Sequence, residues 1–181
     1  MNEKPQHAKF WDRVGAYLLD IIIVGSLSFA FNYANIVHFK SFAFYLPIAA
    51  LGILYKPYME SYYDATLGKM VLNLKVTDLN YNKIGFKRSL LRILILIIPS
   101  IVYIPLHYFG FNNPQLANTD GFMEFSQALA AAYPGAQLIS SVLSLVVIAD
   151  IIFLIVESGG ERRSLKDLIA KTYVIKTKGS D

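Results

Sequence analysis

The sequence contains no cysteine. This absence excludes a disulfide framework, a thiolate metal site and a cysteine nucleophile. Charged residues are also scarce, at 17% of the chain, whereas soluble domains average about 25%. Because 55% of the 181 residues are hydrophobic, the chain has too much apolar surface for a disordered protein. The composition therefore indicates a membrane protein.

The sequence also lacks the short motifs that usually mark catalysis or cofactor binding. It has no His-Glu-x-x-His, no Gly-x-Ser-x-Gly and no P-loop. Its three histidines, at His7, His38 and His107, are expected on different sides of a membrane and do not predict a shared metal site. We therefore expect no enzyme activity, no cofactor and no bound metal.

Long apolar segments are abundant. A transmembrane helix needs roughly 20 mostly apolar residues to cross about 30 Å of hydrocarbon. Four segments qualify or nearly qualify, at about residues 14–37, 41–59, 89–111 and 136–156. Buried helices of a soluble bundle are the alternative, but four of them leave too little polar surface to cover them. We predict an all-α polytopic membrane protein with four transmembrane helices in a single domain, residues 1–181.

The basic residues are distributed unevenly between the predicted loops. The N-terminal segment, the loop 60–88 and the tail 157–181 carry nearly all lysines and arginines, whereas the loop 112–135 carries none. The positive-inside rule then places both termini and the loop 60–88 in the cytoplasm. We expect a multi-pass protein of the cell inner (plasma) membrane, with the lipid bilayer as its partner. The net charge of +4 is thus a topology signal and does not predict nucleic-acid binding.

The predicted cytoplasmic loop contains a strand pattern. Apolar and polar residues alternate from Met70 to Asp78, which is typical of a half-buried strand. A turn follows, and residues 83–86 could form the return strand of a short β-hairpin between helices 2 and 3. Because an isolated hairpin is marginally stable in water, it should lie on the membrane surface or pair with the tail segment 173–176.

Two further segments predict short helices. Ser164 and Asp167 have the spacing of a capping box at a helix start. In the outer loop, Phe122, Phe125 and Leu129 recur every three or four residues, a pattern that suits a short helix in the membrane interface.

Several charged residues fall inside or beside the predicted spans. An aspartate at a helix centre costs about 2.5–3.5 kcal/mol to insert, so such residues usually face a bundle interior and find a partner. Arg13 and Asp20 are seven residues apart, as are Asp150 and Glu157, and Arg92 lies near the start of the third span. We expect these five residues to meet in the cytosolic half of the bundle.

Two interpretations of this charge cluster remain open. It could be an ion or proton site, in which Asp20 carries the ion, Arg13 and Arg92 tune its protonation, and Asp150 is a second carboxylate. It could equally be a structural network that holds the helices together, because arginine stays charged and pairs well with carboxylates.

Three separated segments resemble the RDD family of membrane proteins, named for one arginine and two aspartates. They are Phe10–Asp20 (FWDRVGAYLLD), Thr66–Val76 (TLGKMVLNLKV) and Arg162–Thr172 (RRSLKDLIAKT). The resemblance implies that the named trio is Arg13, Asp20 and Asp167. Arg92 and Glu60 also lie where the family tends to have such residues.

The resemblance implies a membrane protein for which transport has been proposed. We expect a small cation or proton-coupled transporter that uses a buried carboxylate, with monovalent cations and protons as partners. A homo-oligomer is expected because four helices enclose little volume. Asp167, just past Arg162 and Arg163, could dock on Arg13 or Arg92 as a cytoplasmic gate. The alternative is a non-transporting scaffold or accessory subunit.

Overall fold

The computed structural model describes residues 5–156 and 162–177, apart from the side chains at 95, 96, 98, 99 and 101. Most of the described residues are helical, and three short strands form one sheet. The predicted all-α class is therefore correct for the bundle but leaves out the sheet.

The first long helix, α1, covers Phe10–Phe39. It is α-helical over Phe10–Asp20 and Ser26–Ala34, and π-helical over Ile21–Gly25 and Asn35–Phe39. Short π-helical turns inside longer helices often lie at functional sites. The first of these turns begins directly after Asp20, so the helical geometry changes where the buried charge is.

The remaining helices include long helices of the bundle and short helices in the connections. They are α2 (Phe42–Tyr62), α3 (Leu67–Val71), α4 (Phe86–Phe111), α5 (Pro114–Ala117), α6 (Phe122–Ala132), α7 (Pro134–Val156) and α8 (Leu165–Ala170). Helix α4 is central, because it packs against α2, α7 and α8. The short helix α3 packs against the first turns of α1.

Among the described residues, three helices are long and apolar enough to cross a membrane: α1, α2 and α7. Their outer surfaces expose large aliphatic side chains such as Ile22, Leu51 and Val142, which suits contact with lipid tails. These helices cover three of the four predicted spans. Helix α4 covers the remaining segment with 26 residues.

The sheet joins the two ends of the chain to its middle. Its strands are β1 (Gln6–His7), β2 (Leu74–Asp78) and β3 (Thr172–Lys176), all antiparallel, in the order β1-β3-β2. The predicted pairing of the tail with the middle loop is confirmed. The predicted hairpin is wrong: Lys83 makes a single bridge to Thr77, and helix α4 already begins at Phe86.

Apolar cores lie at opposite ends of the bundle. At the sheet end, Ala8, Ala16, Leu74, Val76, Ile84 and Val174 are packed together. At the opposite end, which we call the loop end, Ile36, Leu106, Leu116, Phe125 and Leu129 form the other cluster. The predicted helix of the outer loop is thus present as α6, and its apolar face packs on the protein core. The charged residues lie between these cores.

Candidate functional site

Arg92 occupies the centre of the buried charges. Its side chain is 2% exposed and projects from α4. Its Nε donates to Glu60 Oε2 at 2.8 Å, and its Nη1 donates to Asp167 Oδ1 at 2.5 Å. The same Nη1 also donates to the hydroxyl of Thr172 on β3. One guanidinium therefore joins helices α2, α4 and α8 to the sheet, and its charge-assisted bonds are of the strong kind.

Two further cations extend these contacts. Arg13 Nη1 donates to the second oxygen of Asp167, and Lys69 Nζ donates to the second oxygen of Glu60. Charges consequently alternate along the row Arg13, Asp167, Arg92, Glu60 and Lys69, which we call the charge network. Both carboxylates in it are paired with two cations each, which is the arrangement that buried carboxylates require.

Asp167 also begins helix α8. It is fully buried, and its Oδ2 accepts a hydrogen bond from the backbone N of Ser164 at 3.1 Å, completing the predicted capping box. Burial by itself would raise the pKa of Asp167, but the charges of Arg92 and Arg13 outweigh it and hold that pKa well below its usual range. Asp167 therefore stays ionised wherever the network is intact.

Lys69 experiences the opposite balance. Burial lowers the pKa of its ammonium, while the neighbouring Glu60 carboxylate favours the charged form. Its charge in the fold thus depends on Glu60, as expected for the last member of the network.

Asp20 lies close to these charges but outside the network. Its Oδ1 accepts hydrogen bonds from the hydroxyl of Tyr55 and from the backbone N of Gly68, both at 2.9 Å. Its Oδ2 makes no hydrogen bond with any residue that the structure describes. Tyr55 is itself held in place, because its hydroxyl accepts from the backbone N of Leu67. Asp20 is therefore oriented by neutral donors and keeps one oxygen free.

Gly68 is required for this contact. A Cβ atom at this position would lie 2.0 Å from the carbonyl oxygen of Ala16 and 2.9 Å from the backbone N of Asp20. No side chain fits there, so glycine lets α3 approach the backbone of α1 closely. That approach brings the Gly68 N–H within hydrogen-bond distance of Asp20.

A cavity of about 220 Å³ lies beside the network. Its charged lining comprises Arg13, Asp20, Lys56, Glu60, Lys69, Arg92, Asp150 and Lys166, and its apolar walls include Phe10, Val14, Tyr17, Ile93, Val147, Ile151, Leu154 and Val174. The walls come from α1, α2, α4 and α7 and from the sheet. Charged and apolar groups thus share one small space inside the bundle.

Lys56 is the cation in this lining without a carboxylate within 4 Å, among the residues that the structure describes. Its Nζ lies 4.8 Å from the centre of the Tyr17 ring, a cation–π contact. Asp150, by contrast, is paired: Lys166 Nζ lies 2.5 Å from its Oδ2, and the backbone N of Lys166 donates to its Oδ1 at 2.9 Å.

A second cavity, of about 450 Å³, continues toward the loop end. It shares Tyr17, Lys56 and Ile93 with the first cavity. Its other lining includes the polar side chains of Ser28, Asn32, Tyr45, Ser100 and Tyr103. Two adjoining spaces therefore lead away from the charge network, with Lys56 and Tyr17 at their junction.

The structure brings four of the predicted charges to one cavity, namely Arg13, Asp20, Arg92 and Asp150. It corrects their pairing. We expected the two arginines to tune the protonation of Asp20, but both bond to Asp167, because their side chains reach the start of α8. The predicted docking of Asp167 on the arginines is present, while its role as a gate stays a prediction.

Two other predicted residues, Arg162 and Arg163, are not among those that line the cavity. Glu157 lies outside the described residues. Arg162 has a positive φ of 50° in the connection before α8, and Arg163 lies over the Tyr173 ring at 5.4 Å. The basic pair therefore belongs to the sheet side of the tail and contributes no charge to the cavity lining.

Sequence reasoning missed Tyr55 and Lys56, and it did not assign a role to Gly68 or Lys69. Gly68 and Lys69 lie in the segment Thr66–Val76, which resembles the RDD family, so that segment was the available signal for these two residues. Tyr55 gave none, since it contacts Asp20 across 35 positions. No group of three His, Asp or Glu residues that could hold a metal ion is found among the described residues.

Of the comparisons with known proteins, the one with family models gives a match. The model of the RDD family matches residues 7–171, which include all five members of the charge network as well as Asp20, Lys56 and Asp150. No curated protein and no solved structure is significantly similar to the chain. Because the family match covers nearly the whole sequence, the chain belongs to the RDD family.

Proposed function

We propose that this protein is a transporter coupled to protons or to a small cation, with Asp20 as the group that takes up the proton or cation. The free Oδ2 of Asp20 carries this proposal. Buried carboxylates inside a bundle commonly mark ion pathways or proton relays. Glu60 and Asp167 are each paired with two cations. Asp20 lines the cavity, and its hydrogen-bond partners within the described part of the chain are neutral donors.

The two adjoining cavities support this function. A transported ion needs a route, and the spaces that meet at Tyr17 and Lys56 extend from the charge network toward the loop end. The π-helical turn that follows Asp20 also supports the proposed transport function, because short π-helical turns are frequent at functional sites.

The proposal also includes the membrane topology of the chain. We propose four spans, with α4 as the third, and both termini in the cytoplasm of a cell with an inner membrane. The excess of basic residues at the sheet end supports this orientation. The absence of cysteine from the sequence permits a clean test with single cysteines at Lys75 on β2 and at Asp120 in the outer loop. A membrane-impermeant maleimide should label intact cells at position 120 and not at position 75.

The function is tested by proton flux in proteoliposomes loaded with a pH dye. We expect sodium, lithium or potassium gradients, or a proton gradient, to drive flux in the wild type. Asp20→Asn should abolish it yet fold, because the amide Oδ1 can still accept from Tyr55 and Gly68. Asp120→Asn is the matched control, since Asp120 is exposed and lies at the loop end. Absence of flux in a folded wild-type protein under all these gradients would contradict the proposal.

A scaffold role is the second candidate, and the charge network favours it. The network joins α1, α2, α3, α4 and α8 through alternating pairs, which is what a purely structural device would need. Under this alternative Asp20→Asn changes no flux, and the network serves only to hold the helices to the sheet.

A further inference from the structure

Lys56 lies where the two cavities of the bundle meet. It lines both of them, together with Tyr17 and Ile93, whereas Asp20 lines the first cavity alone. A species that moves from the second cavity to Asp20 therefore passes the Lys56 side chain. Within the part of the chain that the structure describes, Lys56 is also the one charged residue in the lining of the second cavity.

The lining of the second cavity suits water. It includes the neutral polar side chains of Ser28, Asn32, Tyr45, Ser100 and Tyr103, and polar groups at membrane depth need hydrogen-bond partners. The volume of about 450 Å³ has room for several waters, since one water needs about 10–15 Å³ of such volume. Because waters and hydroxyl groups can pass protons along, this cavity can bring protons from the loop end to the junction.

The side chain of Lys56 is suited to pass a proton on. Its Nζ lies 4.8 Å from the centre of the Tyr17 ring, so a ring face and not a fixed carboxylate lies against the ammonium. An ammonium carries three protons and can release one, whereas a guanidinium stays protonated. The four-carbon stem of lysine is flexible, which lets the ammonium turn toward either cavity.

Three carboxylates share the first cavity with Lys56, namely Asp20 on α1, Glu60 on α2 and Asp150 on α7. Glu60 is paired with two cations of the charge network, and Asp150 is paired with a lysine of α8. Asp20 is the one without an ion pair among the described residues, so it is the acceptor that remains for a proton from Lys56. The other cations of this lining, each in an ion pair, are Arg13, Lys69, Arg92 and Lys166.

We infer that Lys56 is a proton relay between the second cavity and Asp20, which makes the proton the ion that reaches Asp20 from the loop end. The inference rests on the proposed function, since it names the coupling ion and its route. In the first step, an N–H bond of the Lys56 ammonium breaks, and the proton passes directly or through a water to a carboxylate oxygen of Asp20. An amine and a carboxylic acid result. In the second step, the amine takes a proton from a hydronium ion in the second cavity, which becomes water.

The same arrangement excludes metal cations from this route. The positive charge of Lys56 repels a metal cation at the junction, and an ammonium has no acceptor that could bind one. A proton avoids this barrier because it is handed over at Lys56 and does not have to move past the charge.

The first test is proton flux in proteoliposomes under a proton gradient, with choline in place of metal cations. Lys56→Arg keeps the charge but cannot release a proton, so flux should fall at least about tenfold. Lys56→Met should lose flux as well. Lys87→Arg, at an exposed lysine near the start of α4, is the matched control and should keep the wild-type flux. Wild-type flux in Lys56→Arg would show that the charge alone is needed and would overturn the relay.

The absence of cysteine from the sequence allows the relay to be rebuilt chemically. Lys56→Cys should lose flux. Alkylation with bromoethylamine puts back a primary amine and should restore most of the flux. Bromoethyltrimethylammonium supplies the same charge without a transferable proton and should restore none. Recovery with both reagents, or with neither after complete labelling shown by mass spectrometry, would overturn the inference. A misfolded variant cannot produce the expected result, because it would recover with neither.

A further test measures water in the second cavity and needs no transport. In nanodiscs, Ser100→Cys should react with a water-soluble charged thiol reagent, because the hydrated thiolate is the reactive form. Ser144→Cys is the control: both positions lie about ten residues, or about 15 Å, from the loop end of their helices. Ser144 is exposed on α7 and is not among the residues that line either cavity. No reaction at position 100, or equal reaction at both positions, would overturn the relay.

The outcomes separate the relay from the transport. Wild-type flux that survives Lys56→Arg overturns the relay and leaves the proposed function in place. A folded wild type without flux contradicts the proposed function, and the relay falls with it. Selective labelling of Ser100→Cys together with recovery of flux by the amine alone supports both.

Discussion

Asp20 and Asp167 are both buried aspartates, and the family resemblance implies that both belong to its named trio, yet their surroundings differ. Asp167 bonds to two guanidinium groups and also caps a helix. Asp20 is held by one hydroxyl and one backbone N–H, and it lines a cavity. A carboxylate fixed by two permanent charges is suited to holding elements together. A carboxylate held by neutral donors has no paired cation that an incoming proton or cation must displace.

The same contrast separates the cations. Arg92 is paired with two carboxylates, Glu60 and Asp167, and also donates to Thr172. Lys56 rests on an aromatic face and has no carboxylate close by among the described residues. The molecule thus places the ion-paired residues of the charge network, which we call the closed set, next to Asp20 and Lys56, which have no ion pair among the described residues. We assign the closed set to assembly, and Asp20 and Lys56 to function.

The largest expected effect is the loss of Arg92. Arg92→Met leaves Glu60 and Asp167 with fewer partners in a buried place, and removing one partner of a buried pair costs about 3–5 kcal/mol. The free energy of unfolding in detergent should fall by about this amount, and the yield of folded protein should drop with it. A loss below about 1 kcal/mol, the range of exposed pairs, would remove the structural role of the network.

Gly68→Ala disturbs the Asp20 side of the comparison directly and reaches the network only through Lys69, which lies on the same helix and bonds to Glu60. The added methyl would lie 2.0 Å from the carbonyl oxygen of Ala16, so α3 must move away. Overpacking of this kind costs about 1–3 kcal/mol, and we expect flux to fall as Gly68 N withdraws from Asp20. Gly52→Ala is the matched control, since nothing lies within 4 Å of its added Cβ. Equal effects of the two substitutions would rule out this explanation.

The pH dependence of stability sharpens the contrast. The pKa of Asp167 is lower in the folded protein than its ordinary value of 3.8, so the unfolded chain takes up the proton first. The stability from ionised Asp167 is complete above that ordinary value and is lost as the pH falls through the lower folded pKa. Acid unfolding should therefore be shallower in Asp167→Asn than in the wild type. Parallel curves for the two proteins would contradict this assignment.

The smallest effect is expected at Asp150. Its partner Lys166 is 30% exposed, and partly exposed pairs contribute about 0–1 kcal/mol. Asp150→Asn keeps an oxygen that can accept from the backbone N of Lys166. We expect a loss of at most about 1 kcal/mol in chemical unfolding. A loss as large as that of Arg92→Met would place Asp150 in the closed set.

Local patterns in the sequence predicted the elements well. Alternation predicted β2, although Leu67–Val71 is helical and the strand begins only at Leu74. The spacing of Ser164 and Asp167 predicted the start of α8. The strand β1 was missed, because two residues cannot display a period. The hairpin failed because helix α4 begins at Phe86, which leaves only the single bridge from Lys83 to Thr77.

The clustering of charges was predictable, but their partners were not. Because Arg13, Asp20, Arg92 and Asp150 all lie near the cytosolic ends of their helices, the sequence was enough to predict that they come together. Which oxygen meets which cation depends on how α8 and α3 pack against the bundle, and helix period carries no such information. The contact of Gly68 with Asp20 spans 48 positions and uses a backbone N–H, which no side-chain pattern reveals.

The central claim is that Asp20 carries transport while the paired carboxylates carry structure. The most direct measurement is flux per folded molecule for Asp20→Asn and Asp150→Asn, reconstituted side by side with the wild type. We expect no flux from the first variant and at least about half of the wild-type flux from the second, because Asp150 is already paired. Equal loss in both variants, or unchanged flux in Asp20→Asn, would contradict the claim.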